Sequence, residues 1–335
     1  MLVDQLKRPI HDLRISVTDR CNFRCGYCMP KDKYGRDHQF LKRKALLSFE
    51  EIEKIARIFV SLGVVKIRLT GGEPLVRHDL EKLIQQLSEI DGLDDLSLTT
   101  NASLLSAKRA ASLREAGIAR INISLDSLDP ETFGRLNGVG YPVEDVLAGV
   151  ENARQAGFDQ IKINMVVQKG QNEDAILPMV DYFRGRGMIL RFIEFMDVGN
   201  SNGWKHEEVF TSQQIKTLIE SKYSIQPLDA NYRGEVAKRW ELVDHDLELG
   251  IISSVTEPFC GDCSRARLSA IGELYTCLFA DKGCDLRAIL RSPDKRATLQ
   301  PNIEQLWGNR SDRYSEIRTE VGATRKKVEM SYIGG

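Results

Sequence analysis

An apolar, β-rich run followed by a helical pattern recurs six times in the first two-thirds of the chain, and few folds accommodate that rhythm. The runs are LRISV (13–17), VVKIRLT (64–70), LSLTT (96–100), RINISL (120–125), IKINMVV (161–167) and ILRFIEF (189–195). Between them, SFEEIEKIARIFVSLG opens on Ser48 with Glu51 three residues on, a reciprocal helix cap, and stops at Gly63. SAKRAASLREAG (106–117) and VEDVLAGVENARQAG (143–157) also stop at glycine, as helix ends commonly do. Strand, helix, strand in repetition means parallel βα units, and the continuous apolar runs read as strands buried on both faces. Six units fall short of the eight of a complete barrel. The expectation is an open, incomplete α/β barrel or a doubly wound sheet, with ligands at the carboxyl ends of the strands. SVTDRC, TGGEP, TTN, SLD and EFMDVGN lie there, after the first, second, third, fourth and sixth runs.

After about Asn200 the rhythm changes. NYRGEVAKRW, LGIISSV and RARLSAIGELYTCLF read as antiparallel strands with a turn at Gly272, then helical patterns and a basic tail ending SYIGG. The expected division is a barrel over 1–200 and, over 201–335, an extension that carries a small antiparallel sheet and helices and covers the barrel mouth.

Seven cysteines bring chemistry to this frame. Cys21, Cys25 and Cys28 form C-x3-C-x2-C after the first strand, Cys260, Cys263 and Cys277 form C-x2-C-x13-C near the end, and Cys284 is left over. The N-terminus, MLVDQLKRPIHDLR, lacks the apolar core of a secretory signal, and no apolar run is long enough to span a bilayer. An odd thiol count in such a chain, expected to be cytoplasmic, argues for metal or redox chemistry rather than a disulfide framework.

Thiolates are the soft ligands that zinc and iron–sulfur clusters prefer. Zinc on the first triplet needs a fourth ligand, and His11 and His38 lie outside the usual spacing. A four-iron cluster held by three cysteines keeps one iron open to a small-molecule chelate. The second triplet leaves two readings open: a zinc site closed by Cys284, or a second cluster with an open iron.

Charge narrows the ligand. The net charge of −1 offers no overall field for nucleic acid or membrane, and it leaves room for a local basic pocket. Arg265 and Arg267 alternate in SRARL and so face one way on a strand. Arg68 and Lys162 interrupt strands expected to be buried, where an unpaired charge is costly, and Lys66 and Arg191 share that property. Arg14 sits on the first strand. There is no G-x-x-x-x-G-K-[ST] phosphate loop.

The first triplet, with the aromatic Tyr27 before its last cysteine, and TGGEP after the second strand resemble the radical S-adenosylmethionine (SAM) superfamily. The second triplet with RAR and CLF, RFIEFMDVGN and the terminal Gly334-Gly335 are similar to its GTP 3′,8-cyclase family, which opens molybdenum cofactor biosynthesis. The resemblance spans essentially the whole chain. It implies two [4Fe–4S] clusters, a 5′-deoxyadenosyl radical from SAM that takes H3′ of GTP, and closure of C3′ onto C8 to give 3′,8-cyclo-7,8-dihydro-GTP. It assigns Tyr27, Gly72, Glu73, Ser124 and Met196 to SAM, and Arg14, Arg68, Thr99, Lys162, Arg265 and Arg267 to GTP. It threads Gly334 and Gly335 into the active site as catalytic residues. The implied partners are GTP, an electron donor such as flavodoxin or ferredoxin, and the next pathway enzyme, with a homodimer compatible. Two other readings remain: a radical SAM peptide modifier with an auxiliary cluster, and a zinc-stabilised nucleic-acid-binding module, against which the near-zero charge and the lack of aromatic–basic interleaving speak.

Overall fold

The computed structural model describes residues 2–292, 299–318 and 326–334. The six expected strands are present as β1 (Asp12–Ser16), β2 (Lys66–Thr70), β3 (Asp95–Thr100), β4 (Arg120–Ser124), β5 (Gln160–Val167) and β6 (Ile189–Glu194). Each pairs in parallel with the next. The crossovers carry α1 (Phe49–Ser61), α2 (Leu80–Ser88), α3 (Ala107–Glu115), α4 (Pro130–Leu136), α5 (Val143–Gln155) and α6 (Ile176–Phe183). Ser48 and Glu51 form the reciprocal cap of α1: the Glu51 amide donates to Ser48 Oγ at 3.2 Å and the Ser48 amide to Glu51 Oε2 at 2.8 Å. Gly63, Gly117 and Gly157 follow their helices at positive φ, where expected.

The later segments are α7 (Ser212–Glu220), β7 (Ile225–Leu228), β8 (Lys238–Leu242), β9 (Glu248–Ile252), β10 (Arg265–Leu268), β11 (Glu273–Tyr275), β12 (Cys284–Asp285), α8 (Leu286–Arg291), α9 (Leu299–Gly308) and a last turn, α10 (Met330–Ile333). The antiparallel strands are there, and they extend the barrel's own sheet at both edges instead of standing apart. The order is β12-β11-β10-β1-β2-β3-β4-β5-β6-β9-β8-β7. β10 lies parallel beside β1 and β9 parallel beside β6, with the antiparallel pairs outside them. The physical reason is that an incomplete barrel ends in two rows of unpaired backbone N–H and C=O groups, and the extension satisfies both.

Residues from β10, β1 through β6 and β9 line one cavity, so the open sheet curls around it. The strands alternate across that curl. Leu13, Ile15, Ile67 and Leu69 join the main apolar core with Ile55 and Phe59 of α1 and Leu83 and Ile84 of α2. Their neighbours Asp12, Arg14, Lys66 and Arg68 line the cavity. The expectation of strands apolar on both faces is therefore corrected: the helix side is apolar, and the inner face is rich in polar and charged residues, with Val166, Ile193 and Ile252 among them. A filled barrel packs branched side chains there; this one keeps the space for a ligand.

Candidate active site

The first triplet sits in the loop after β1. The Val17 amide donates to Thr70 O at 2.9 Å and the Gly72 amide to Thr18 O at 2.8 Å, so this loop and TGGEP lie against each other. Gly72 is needed for that approach, since a Cβ there would run into the backbone of Arg20. Sequence reasoning gave this glycine a ligand to approach; its immediate neighbour is the cysteine loop. Arg24 holds the loop's shape by donating to the carbonyls of Cys21, Phe23 and Tyr34 at 2.8, 2.7 and 2.7 Å. Tyr27 donates to Asp126 Oδ2 at 2.8 Å, while the Val166 amide donates to Asp126 Oδ1 at 2.9 Å. Burial raises the Asp126 carboxyl to about 6 against those hydrogen bonds. Burial likewise pushes the Cys21 thiol to about 12 and raises Cys25 and Cys28.

The second triplet is framed from both ends of the chain. Arg8, bound to Asp4 through Nε at 2.6 Å, donates to Cys260 O at 2.7 Å, and Arg310 donates to Cys263 O at 2.6 Å. Arg310 and Arg265 also reach Cys263 Sγ, at 3.2 and 3.3 Å. Burial works to raise the Cys263 thiol, but these two guanidinium groups outweigh it and bring it down to about 6. Cys277, without such contacts, is pushed up to about 12 by burial.

All six cysteines of the triplets are unbridged, half-buried and line the same cavity, which no histidine joins. Cys284 does not: it stands on β12 opposite Leu274 and packs against the apolar core. It therefore does not close the second triplet as a four-thiolate zinc site. Among the described residues no three His, Cys, Asp or Glu side chains converge on a single ion position. Two sets of three thiols on one cavity, neither joined there by a histidine or by Cys284 among the described residues, fit a pair of iron–sulfur clusters with an open iron.

Between the triplets lies a row of cations. The register sets Arg14 of β1 opposite Arg68 of β2 on one side and Arg267 of β10 on the other. Like charges placed side by side on adjacent strands destabilise one another. Burial, and then Arg267, Arg68 and Arg265, hold the Arg14 guanidinium well below its ordinary value. Burial and then Arg265 bring Arg267 down to about 9, and burial and then Arg68 do the same to Arg191. Arg68 Nε and Thr99 Oγ1 are buried without a hydrogen-bond partner. Repelling cations and orphaned polar atoms around one space define a polyanion site.

On the other side, Glu73 is 1 % exposed and already engaged: it accepts from the amides of Leu75 and Asn101 at 3.0 and 2.7 Å and from Thr100 Oγ1 at 2.7 Å. It braces TGGEP against the end of β3, with a single lone pair or so left for an ammonium group. Burial lifts it to about 7 despite those bonds. Ser124 and Met196 line the cavity at the ends of β4 and β6. Asp197, next to Met196, accepts from Tyr314 Oη and Lys327 Nζ at 2.6 Å each and pairs with Arg318 at 2.9 Å. This clasp holds the chain before α10, which ends at Gly334, whose carbonyl accepts from Arg267 Nη1. Gly335 lies outside the described residues.

The structure thus brings Tyr27, Gly72, Glu73, Ser124, Met196, Arg14, Arg68, Thr99, Lys162, Arg265, Arg267 and both triplets to one cavity, with Gly334 bonded at its edge. Sequence reasoning missed Asp126, Arg8, Arg310 and Arg120. SLD at a strand end and Arg120 opening a strand carried a signal for two of them; Arg8 and Arg310 carried none, because what places them at the second triplet is contact between opposite ends of the chain, Arg8 with Cys260 and Arg310 with Asp4.

Residues 15–183 match the radical SAM superfamily and residues 188–316 match the family described as Molybdenum Cofactor Synthesis C. The chain is 52 % identical over 332 residues to a GTP 3′,8-cyclase of Xanthomonas campestris pv. campestris, covering 99 % of this chain and 97 % of that relative. It is 48 % identical over 357 residues to a GTP 3′,8-cyclase of Acidothermus cellulolyticus, covering 99 % and 98 %. The crystal structure of Streptococcus suis SuiB bound to S-adenosylmethionine shares the fold, with a TM-score of 0.63 at 15 % identity, over 93 % of this chain and 68 % of that one. From end to end, in both halves and in both cysteine loops, the chain belongs to the GTP 3′,8-cyclase family of the radical SAM superfamily.

Proposed function

We infer that this chain cyclises GTP to 3′,8-cyclo-7,8-dihydro-GTP with SAM and two [4Fe–4S] clusters, the first step of molybdenum cofactor biosynthesis. The observation that carries this reading is the row Arg68–Arg14–Arg267, buried between two open thiol triplets that face one cavity. When bound, the first cluster and SAM supply one-electron, carbon-radical chemistry. The protein's own residues do the rest. Cys21, Cys25 and Cys28 hold the first centre, with Tyr27, Gly72, Glu73, Ser124 and Met196 around SAM. Cys260, Cys263 and Cys277 hold the second. Arg14, Arg68, Lys162, Arg265, Arg267 and Thr99 take the nucleotide, whose phosphates cancel the repulsion along the row. Gly334 closes the edge of the cavity and, with Gly335, acts in turnover. The proposal includes a one-electron donor such as flavodoxin or ferredoxin, hand-over of the product to the next enzyme, a cytoplasmic setting, and a functional division near residue 200.

Anaerobic incubation with 3′-deuterated GTP, SAM and dithionite tests it. The expected product is an isomer of GTP, equal in mass apart from the label and distinct in retention, with the deuterium recovered in 5′-deoxyadenosine. GTP returned unchanged, or a product that keeps its deuterium, overturns the reading.

Lys162 adds a pH signature. Burial, then Arg191, Arg120, Lys66 and Arg68, lower its ammonium to about 7, so in the free protein it is largely neutral at pH 8. A bound triphosphate favours the charged form and raises it. GTP binding at pH 8 is therefore expected to take up close to one proton, and affinity is expected to fall by up to about tenfold per pH unit above 7. Calorimetry at pH 8 in buffers of different ionisation enthalpy reads the uptake directly. It is expected to disappear in Lys162→Gln; a heat independent of buffer in the unaltered protein contradicts this.

A further inference from the structure

A second hollow lies on the outer side of the first cysteine loop. Thr18 and Arg20 line it, while Cys21, the next residue, lines the inner cavity. The loop Thr18–Cys21 thus runs between outside and inside, pinned from within by the amides of Gly72 and Glu73, which donate to Thr18 O and Arg20 O at 2.8 Å each. On the outer side Asp19 Oδ2 accepts the Leu41 amide at 2.7 Å, and Arg20 donates to Leu41 O at 3.3 Å.

The hollow is basic. Arg20, Arg43, Lys44, Lys54, Arg77, Lys82 and Arg291 line it against Glu50, Glu51 and Asp79. Two of the carboxylates are already taken, by Lys82 at 2.9 Å and Arg291 at 2.7 Å. Arg77 is spent internally, donating to Val17 O and Leu47 O at 3.0 and 2.8 Å. Arg43, Lys44 and Lys54 are exposed, and among the described residues no carboxylate lies within ion-pair distance of them. The stretch from the cysteine loop to the hollow adds Lys31, Lys33, Arg36 and Lys42 against Asp32 and Asp37. In a chain of net charge −1 this is a concentrated positive surface, and it stands one loop from a site that must receive electrons.

We propose that this groove is the docking surface for an acidic one-electron carrier protein, which feeds the centre held by Cys21, Cys25 and Cys28 through the Thr18–Cys21 loop. This rests on the reading that the first triplet holds a redox cluster. The donor's cofactor loses one electron and the centre gains it; no bond forms or breaks between the two proteins. Unpaired rim charges such as Arg43, Lys44 and Lys54 act on encounter and its salt dependence, as steering charges do, and the mouth of the inner cavity stays free for the nucleotide.

The test compares two reductants on the full chain with both clusters loaded. With dithionite, which needs no docking, Arg43→Glu/Lys44→Glu is expected to turn over within twofold of the unaltered protein. With reduced flavodoxin its KM for the donor is expected to rise about tenfold or more at low salt. The flavodoxin-driven rate of the unaltered protein is expected to fall with added salt while the dithionite rate holds. An unchanged KM for flavodoxin overturns the proposal, including the case in which the groove serves free phosphate or nucleic acid instead. Should the double variant lose dithionite activity, Lys54→Glu, on the exposed side of α1, carries the same comparison. Failure of the unaltered protein with both reductants strikes the functional reading and not the docking surface.

Discussion

Arg265→Ala combined with Arg267→Ala is expected to abolish GTP binding while SAM is still cleaved to 5′-deoxyadenosine. Arg267 is 4 % exposed and sits at the end of the cation row beside Arg14; Arg265 lies 5.0 Å over the Phe259 ring and touches Cys263. Each charge-assisted hydrogen bond to phosphate contributes about 1.5–3 kcal/mol, so losing two costs about 3–6 kcal/mol, or roughly two to four decades of affinity. The fold bears the change well, because after burial the repulsion from Arg267 does most to hold Arg14 down, with Arg265 also contributing, and the substitutions remove both. Equilibrium dialysis measures the nucleotide, and 5′-deoxyadenosine formation under dithionite measures the other half. Iron content is read alongside, since Arg265 also sets the state of the Cys263 thiol. Unaltered GTP affinity in a protein with both clusters loaded would refute the assignment.

Gly334→Ala is expected to stop product formation without weakening GTP or iron binding. Gly334 has φ of +77°, a conformation that costs any residue with a Cβ, and a methyl group there would collide with Thr70 Cγ2. Thr70 closes β2 at the cavity wall, so the last turn has to back away from it, which breaks the bond from Arg267 to the Gly334 carbonyl and leaves that guanidinium free for phosphate. Displacement of about 1 Å at such a site costs about a hundredfold in rate. Removal of Gly334 together with Gly335 is expected to act the same way. The assay is product yield per 5′-deoxyadenosine formed, which drops when the tail is out of place and stays constant when the protein is merely less stable. A normal ratio in Gly334→Ala would sink the role given to the tail.

Local signals carried much of this fold. Ser48 with Glu51, the glycines after the helices and the six apolar runs depend on residues within a turn or two of one another, and each stands where the sequence placed it. Both cysteine triplets were readable for the same reason. Arg68 and Lys162 could be singled out because a charge inside an apolar strand is an anomaly on its own terms. What escaped was whatever depends on pairing between distant segments. Nothing near Arg265 says that its strand will lie beside β1, and only that register turns three separate arginines into a row. The polar inner face escaped too, because alternating charged residues among long apolar side chains look continuous until the curl of the sheet is known. Arg8 and Arg310 are the limiting case: ordinary surface cations by sequence, they are 1 % and 4 % exposed in the fold and grip the backbone of Cys260 and Cys263.

That grip bears on how the molecule is made. A ribosome releases the N-terminal part first, and domains tend to fold in that order. The strands and the loop that carry Cys21, Cys25 and Cys28 are complete once β6 has emerged. The other metal position has Asp4 and Arg8 at one extreme and Arg310 at the other, with β10 lying against β1. It does not exist on any nascent chain shorter than about the whole polypeptide. Assembly therefore has a built-in sequence: the segment with Cys21, Cys25 and Cys28 is whole early in synthesis, whereas the surroundings of Cys260, Cys263 and Cys277 come together only when both ends of the chain are present.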